Sequence, residues 1–593
     1  MARFVVVVDR TSTLDLSERL RRAREAMVLG GSRETAESSL RPPLGVLTLS
    51  HDGPLSLVEE SDGTWLLLGC QDPEVARDRL RASARGVEVG SAPEPPARAL
   101  RAALRWVSAT GELTLVTEPN GQLPLYVLHT AATTIVATEP KAIWAAHPES
   151  LRLDADGLVD LYTLGHTVGP HTLFREVACA EPGSTYTFGA HPASRREYCR
   201  PSFDESKDGD SEALAHSLNR ALLEVLEVER RRFSRVTVAL SGGMDSRYVL
   251  AGALRTWTEI DAMTFGDPAS ADAVLGAEVA RRAGVPHVRY RTHEDFLRSW
   301  TPYAVWRTDG LLNLIHAQGM DAVIAHAHHS DHVLNGLGGD YLTGAFLRPF
   351  HLFERGEPRR ATEFILASRR FHDRPLASVL KPEVLGKTTT TTEDTLRGVM
   401  ERYPCDRLGN TLLAYWLRHY APRLTVVGLA LESPHVRYLT PLVEPAFVRA
   451  VAALPLELRF LSRTYRRALR LLEPKLASIR WERVGLPPSF PWPLLAAARV
   501  ARRLAPALRS SALDYAAAFR TSARAWVAEL LLARRTREDG FFLPGYLEAL
   551  AEDHATGRAD RAAEIGMAIT IESWRRQFLD REPPQLPEAL LVP

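Results

Sequence analysis

The sequence predicts an α/β protein in two halves: a β-rich N-terminal part, then a doubly wound parallel sheet with a helical extension. Three observations carry that prediction. Arg235 to Leu254 reads as strand, glycine-rich turn and helix. Residues 260–290 continue as strand, helix and strand, the alternation that builds parallel sheets. Residues 1 to about 200 hold short β-branched runs split by turns. A chain of 593 residues is also too long for one core, so two to four domains are expected.

Composition narrows the function classes. Hydrophobic content of 45% and charged content of 24% are those of a globular chain, and a formal net charge of +1 calls for no nucleic acid. Cys70, Cys179, Cys199 and Cys405 have no metal or CxxC spacing and read as reduced thiols of a cytoplasmic protein. No stretch is long enough for a membrane span. The apolar run Phe4 to Val8 is too short for a signal peptide and ends in Asp9, so it reads as a first strand.

In chain order, Gly45 to Ser50, Trp65 to Gly69, Glu112 to Thr117, Leu125 to His129 and Thr134 to Thr138 are the next strand-like runs. Asp204-Glu-Ser-Lys-Asp-Gly-Asp210 is a polar break, so the domains are placed at 1–205 and 206–593. Leu214, Leu218, Ala221, Leu222, Val225 and Leu226 then mark a helix by spacing.

Val236 to Leu240 follows as a short buried strand. Ser241-Gly242-Gly243 turns the chain, and a helix begins near Ser246. Free amides and the helix dipole then point at one spot, an anion site, and Asp245 stands where a carboxylate would hold Mg²⁺ beside a phosphate. Two glycines alone would also suit an ordinary strand-to-helix turn; the missing Gly-Lys-Ser/Thr ending excludes a Walker loop. Ile260 to Gly266 is the second strand, Asp272 to Gly284 its helix and Val285 to Tyr290 the third strand. Ligands of such sheets sit beyond the carboxyl ends of the strands, which collects Leu240, Ser241, Thr264, Phe265 and Gly266 around one nucleotide. Val333 and Leu334 end a further strand, and the loop after it brings a second acid, Asp340, toward Asp245.

Other features read as structural. His326, His328, His329 and His332 lack a zinc spacing and suggest a solvated helix end. Thr388 to Thr392 read as a loop and helix cap. Leu412 to Ala430, with Tyr415, Trp416, Arg418 and His419, reads as core helix. From residue 490 the chain is helical and rich in Arg, Ala and Leu; a packed helix with an outward basic face is favoured there over membrane contact.

Ser241-Gly-Gly-Met-Asp-Ser246 resembles the pyrophosphate loop of enzymes that split ATP to AMP and pyrophosphate. The resemblance runs on through most of the chain. Glu118 to Tyr126 and Val136 to Ile143 resemble paired turns in the glutaminase domain of asparagine synthetase-like enzymes, which implies an Ntn-hydrolase-like N-terminal sandwich. That glutaminase uses an N-terminal cysteine. Position 2 is Ala2 and no cysteine precedes Cys70, so no ammonia release is expected. Ser330 to Ala345 resembles the family's second loop. Gly336 and Gly338 fall on its glycines and Asp340 on its metal-binding aspartate. Leu337 replaces a glutamate of asparagine synthetases and a tyrosine of β-lactam synthetases, and Tyr341 replaces a second glutamate. Tyr438 to Pro455 and Gly566 to Phe578 resemble later segments. Glu432 lies near the family's substrate-side glutamate, a position for which Arg437 competes. Arg466 occupies the place of a phosphate-contacting lysine, and Arg480 to Gly485 resembles the basic loop that follows.

The resemblance implies ATP and Mg²⁺ as requirements. ATP-binding residues are Leu240, Ser241, Gly242, Gly243, Asp245, Ser246, Thr264, Phe265, Gly266, Gly336 and Gly338. Metal-binding residues are Asp245 and Asp340; catalytic residues are Asp340, Arg466 and Glu432. Lasso peptide cyclases are the nearest branch. They imply a precursor core peptide as substrate, and a leader peptidase and a leader-recognition protein as partners. A small-molecule amide synthetase of the β-lactam or asparagine kind, and an inactive nucleotide-binding homologue, are the other readings. Tyr341, Glu432 and His316 are the candidates for general base.

Overall fold

A computed structural model describes residues 3–30, 32–51, 56–60, 63–68, 101–149, 152–189, 192–203, 205, 210–292, 295–317, 319–330, 332–504 and 514–590. Ala2, Cys70 and most of the 204–210 break lie outside these residues.

The N-terminal half is two six-stranded antiparallel sheets. One has the order β10 (Ala178–Cys179), β8 (Tyr126–His129), β9 (Thr133–Ala137), β1 (Arg3–Asp9), β3 (Leu44–Ser50), β2 (Thr35–Arg41). The other has the order β12 (Ser194–Glu197), β11 (Ser184–Phe188), β7 (Glu112–Thr117), β6 (Ala102–Val107), β5 (Gly63–Leu68), β4 (Ser56–Glu60). Strand alternation divides β1 between two cores. Phe4, Val6 and Val8 pack between the sheets with Leu104 and Leu115. Val5 and Val7 face helices α1 (Leu16–Met27), α2 (Pro140–Ala146) and α3 (Ala155–Leu164) on the outer side. That outer core also takes in Phe519, Leu547, Met567 and Trp574 from the last helices of the chain. The tail thus packs on the N-terminal half.

The second half holds α4 (Ser211–Arg230) and a five-stranded parallel sheet. β13 (Arg235–Ala239), α5 (Met244–Thr256), β14 (Glu259–Phe265), α6 (Ala271–Ala283) and β15 (His287–Tyr290) follow in order. The chain then crosses to β16 (His332–Leu334) and, after a two-stranded antiparallel pairing of β17 (Arg355–Gly356) with β18 (Cys405–Arg407), to β19 (Arg437–Leu439). The strand order is β15-β14-β13-β16-β19. Direction therefore reverses between β13 and β16, the place where open sheets bind ligands. α4, α5 and α6 cover one face and Met320–Ala327 the other.

Two expectations change. Leu412–Ala430 is not a plain α-helix: Trp416–Thr425 is a π-helical stretch containing Pro422, which lacks the amide an α-helix needs there. His326 is not solvated. It is 1% exposed and bonds Thr237 Oγ1 at 2.9 Å and the Tyr290 hydroxyl at 3.0 Å, with Asp261 at 3.4 Å. No group of three His, Cys, Asp or Glu suited to a metal occurs among the described residues, nor is any described helix long and apolar enough to cross a membrane.

Buried charge joins the halves. Glu139 receives Arg3 Nη1 at 2.8 Å, Lys141 Nζ at 2.7 Å and Arg307 Nη1 at 3.3 Å. Lys141 also reaches Asp309 Oδ2 at 3.1 Å, and Arg3 pairs with Glu34. Burial alone would push the Glu139 carboxyl up, yet Arg307, Lys141 and Arg3 together hold it well below the usual carboxylate range. A second contact sets Gly121, at φ +69°, against the ring of Pro422, while Arg418 donates to the Pro119 carbonyl at 2.9 Å. Glu139→Gln leaves three buried cations short of one negative charge. Urea unfolding is expected to show a loss of about 3–5 kcal/mol; an unchanged midpoint would mean the cluster does not hold the halves together.

Candidate functional site

Two loops meet at the strand reversal. The first begins as β13 ends. Leu240 N–H donates to the Met263 carbonyl at 2.8 Å, and its own carbonyl accepts from Thr264 Oγ1 at 2.7 Å. Gly266, at φ +113°, donates its amide to the Tyr290 carbonyl at 3.0 Å. Phe265 lies so close to Gly319 that a Cβ there would stand 2.7 Å from its ring. These bonds fix the sheet edge on which the sequence places the nucleotide.

The loop amides carry specific partners. Ser241 N–H donates to Ser246 Oγ at 3.2 Å, Gly243 N–H to Ser241 Oγ at 3.1 Å, and Gly242 N–H to Asp272 Oδ1 at 2.9 Å. The two serine hydroxyls are 3.1 Å apart. Asp245 follows in the first turn of α5, where the helix dipole favours an anion.

The second loop leaves β16. Leu337 N–H caps on Asn335 Oδ1 at 2.8 Å, and Gly338 adopts φ +90°, where a Cβ would strike Val443. The chain then passes over α5. Asp340 N–H donates to Asp245 Oδ2 at 2.9 Å. A Cβ on Gly339 would collide with the Asp245 carboxylate, and one on Gly336 would stand 2.8 Å from Ser246 N. Glycine at both positions is what lets the loops touch.

The contact places two carboxylates together. Burial first, and then the facing charge of Asp340, push the Asp245 carboxyl well above the usual range, while Arg483 pulls it back. Asp245 Oδ1 is buried, and no donor meets it in good hydrogen-bond geometry, although the Tyr465 hydroxyl lies close to the carboxylate. An orphaned carboxylate oxygen beside a second aspartate fits Mg²⁺, which takes one or two carboxylates and completes its shell with water and phosphate oxygens.

Arginines organise the surround. Arg247 is fully buried and donates to the carbonyls of Gly242 at 3.1 Å, Leu476 at 3.3 Å, Ile479 at 2.8 Å and Arg480 at 3.0 Å. Glu482 N–H adds a bond to the Gly242 carbonyl at 3.1 Å. The first loop is thereby tied to residues 476–485, which present Arg483 to Asp340 as an ion pair. Arg466 is placed elsewhere. Its guanidinium serves the carbonyls of Leu461 at 3.2 Å, Pro488 at 3.1 Å and Phe490 at 3.2 Å, so the guanidinium on the carboxylate pair is that of Arg483.

Glu432 ends the helix Val426–Glu432 and accepts from the Tyr438 hydroxyl. Tyr438 borders the sheet face opposite α5. Burial pushes the Glu432 carboxyl up to about 7 against that hydrogen bond. His316 sits on the turn Leu314–His316, which packs against the helix Ala562–Trp574. Tyr341 lies flat on Trp416, with ring centroids 3.5 Å apart.

Asp245, Asp340, Ser241, Ser246, Gly336 and Gly338 are thus brought together, and Leu240, Thr264, Phe265 and Gly266 form the adjoining edge. Arg247, Asp272 and Arg483 were not singled out by the sequence. Arg480–Gly485 was legible as a basic loop, but not which arginine turns inward. Asp272 opens a helix, an ordinary place for an acid.

Residues 218–474 match a family model described as asparagine synthase. The match supports an asparagine synthetase-like synthetase half and, with it, ATP-dependent ligase chemistry. Among curated proteins none matches. Similar solved structures include the glutamine phosphoribosylpyrophosphate amidotransferase from B. subtilis complexed with ADP and GMP, at 9% identity and TM-score 0.21 over 50% of this chain and 92% of that one. The allosteric regulatory enzyme of purine biosynthesis aligns at 10% identity and TM-score 0.21 over 50% and 91%. Similarity at that level is too slight to define a fold.

Two expectations follow for this site. Gly339→Ala forces the loops apart, so Mg-ATP affinity by calorimetry should fall at least about tenfold, with about 1–3 kcal/mol of stability; wild-type affinity would refute the contact. The raised Glu432 carboxyl means the fold favours its protonated form. That stabilisation is complete below the free value of 4.5 and is lost as pH rises through about 7. Glu432→Gln should therefore gain about 2–3 kcal/mol relative to wild type between pH 5 and pH 8; parallel melting curves would disprove the shift.

Proposed function

We propose that the protein is an ATP-dependent amide-forming ligase that closes a peptide into a macrolactam. The observation that carries the nucleotide half is the meeting of Asp245 and Asp340 over the Ser241–Ser246 loop. ATP is the co-substrate. A carboxylate oxygen of the acyl substrate attacks the α-phosphorus, pyrophosphate leaves, and an amine then attacks the acyl carbon and releases AMP. Asp245 and Asp340 would hold Mg²⁺, which would neutralise charge on the phosphates. Serine hydroxyls and loop amides orient the departing anion. Arg483, paired with Asp340 at the edge of the site, would offer its guanidinium to the departing pyrophosphate.

The acceptor half rests on replaced residues. Leu337, at the position of the glutamate or tyrosine in the resembling branches, is 7% exposed and packed in the core of the synthetase half. No acid or phenol is offered there. An amine already carried by the substrate answers that replacement. We assign it to the N-terminus of a precursor core peptide, closing on an Asp or Glu side chain as in lasso peptide biosynthesis. Holding both ends in one molecule raises their effective concentration, provided water is kept from the activated carbonyl. A leader peptidase and a leader-recognition protein would supply and present that peptide.

The test pairs AMP and pyrophosphate release with the intact mass of the linear core peptide encoded nearest this gene. AMP formed only with peptide, and loss of one water from its mass, is the expected result. AMP formed with aspartate and ammonium, and an unchanged peptide, would overturn it in favour of a small-molecule synthetase. Asp245→Asn and Asp340→Asn should each lower AMP formation by on the order of 10²–10³-fold. Asp245→Asn should not lower the melting temperature, because it relieves carboxylate repulsion, whereas Asp340→Asn also gives up the ion pair with Arg483.

A further inference from the structure

The strap that leaves Asp340 carries an aromatic platform for which the nucleotide chemistry has no use. Tyr341 lies between Trp416, at 3.5 Å and 14° from parallel, and Phe346, at 4.3 Å and 17° from parallel. The Phe346 ring is 40% exposed, although it belongs to a strap whose neighbours Ala345 and Leu347 are buried. A lone exposed phenylalanine needs no explanation. One that continues a stack and is flanked by guanidiniums does.

Two guanidiniums share that ring. Arg483 lies 5.1 Å from the Phe346 centroid and is paired with Asp340. Arg369 lies 5.8 Å from the same ring and 4.8 Å from Tyr420. It donates a hydrogen bond to the Tyr420 hydroxyl, at 3.3 Å. Among the described residues no carboxylate pairs with Arg369, in a protein where most buried or half-buried arginines find one. A guanidinium on aromatic faces keeps its in-plane N–H groups for a planar anion, and a carboxylate takes two of them at once. One ring therefore links the carboxylate pair of the nucleotide site to an unspent cation.

We propose that Phe346, Tyr341 and Arg369 form the acyl-substrate subsite. It would take a carboxylate-bearing peptide segment, the carboxylate on Arg369 and a neighbouring apolar or aromatic side chain on Phe346. The assignment rests on the ligase reading, since it names the substrate class of that same site. It explains why a tyrosine and not an acid follows Asp340. A glutamate at 341 would neutralise Arg369 and remove the stacking surface. Stacking and charge-assisted contacts each contribute modestly, so the segment alone binds weakly and the rest of the substrate must add to it.

The test uses the full chain and two probes, N-acetyl-Phe-Asp-amide and its Asn counterpart, titrated by calorimetry and by Trp fluorescence, for which Trp416 lies under the platform. Mg-ATP binding is measured on the same samples. The Asp probe is expected to bind at least tenfold more tightly than the Asn probe. Arg369→Gln should remove that preference and Phe346→Ala should weaken both probes, with Mg-ATP affinity and melting temperature unchanged. Equal affinity of the two probes, no binding of either, or a preference that survives Arg369→Gln would overturn the subsite. Loss of Mg-ATP binding in wild type would instead sink the ligase reading, so the two failures are told apart. Should Phe346→Ala unfold the protein, Phe346→Leu keeps the volume and must still weaken the Asp probe.

Discussion

One buried guanidinium fixes the proposed nucleotide site. Arg247 spends its charge on four main-chain carbonyls, three of them more than 200 residues away in sequence. Charge-assisted bonds of this kind are worth more than neutral ones, and each lost donor would strand a buried carbonyl. Burial draws the Arg247 pKa down to about 10, still far above neutrality, so the clamp stays charged. Through it the first loop cannot move without residues 476–485, and these cannot move without Arg483. The contact of Asp340 with Asp245 then has a fixed floor and a fixed side wall.

The N-terminal half follows a different constraint. Its turns Glu118–Tyr126 and Val136–Ile143 were read as glutaminase-like, yet their work here is docking. Glu139 and Lys141 bind Arg307 and Asp309 of the other half, and Gly121 sits against Pro422. Isolating either half would expose charges that only the other half compensates. Such buried ion networks bring little net stability over an apolar replacement, but they tolerate few alternative partners and so define one docking pose.

Much of the site was legible because its residues are close in sequence and locally constrained. A strand, two glycines and an acid at the helix start admit few other meanings, and Asp340 follows a strand end in the same way. What the sequence hid are residues whose partners are remote. Arg247 looks like any arginine on a helix until its carbonyl partners fold over it. Arg466 and Arg483 are both basic residues near the expected place, and only tertiary packing decides which turns to Asp340. The histidines near 330 looked solvated because nothing in sequence shows that Thr237 and Asp261 lie beneath His326. The π-helical stretch at Trp416–Thr425 was hidden for the opposite reason: its pattern is that of a helix, and Pro422 alone signals the widened turn.

The amides of Ser241, Gly242 and Gly243 already donate hydrogen bonds to Ser246, Asp272 and Ser241 respectively. An arriving phosphate therefore meets an occupied cradle, and its binding is a substitution of partners in place of a capture. Each bond gained at an amide is matched by one surrendered, so the heat evolved by the loop itself stays small. Asp272, once displaced, is an unaccompanied negative charge beside a polyanion. It sets a toll on every anion that enters, and only a ligand bringing its own cation and reaching Arg483 recovers it. Free phosphate or a lone sulfate lacks that means, which would keep the cradle clear for the metal-bound nucleotide proposed above.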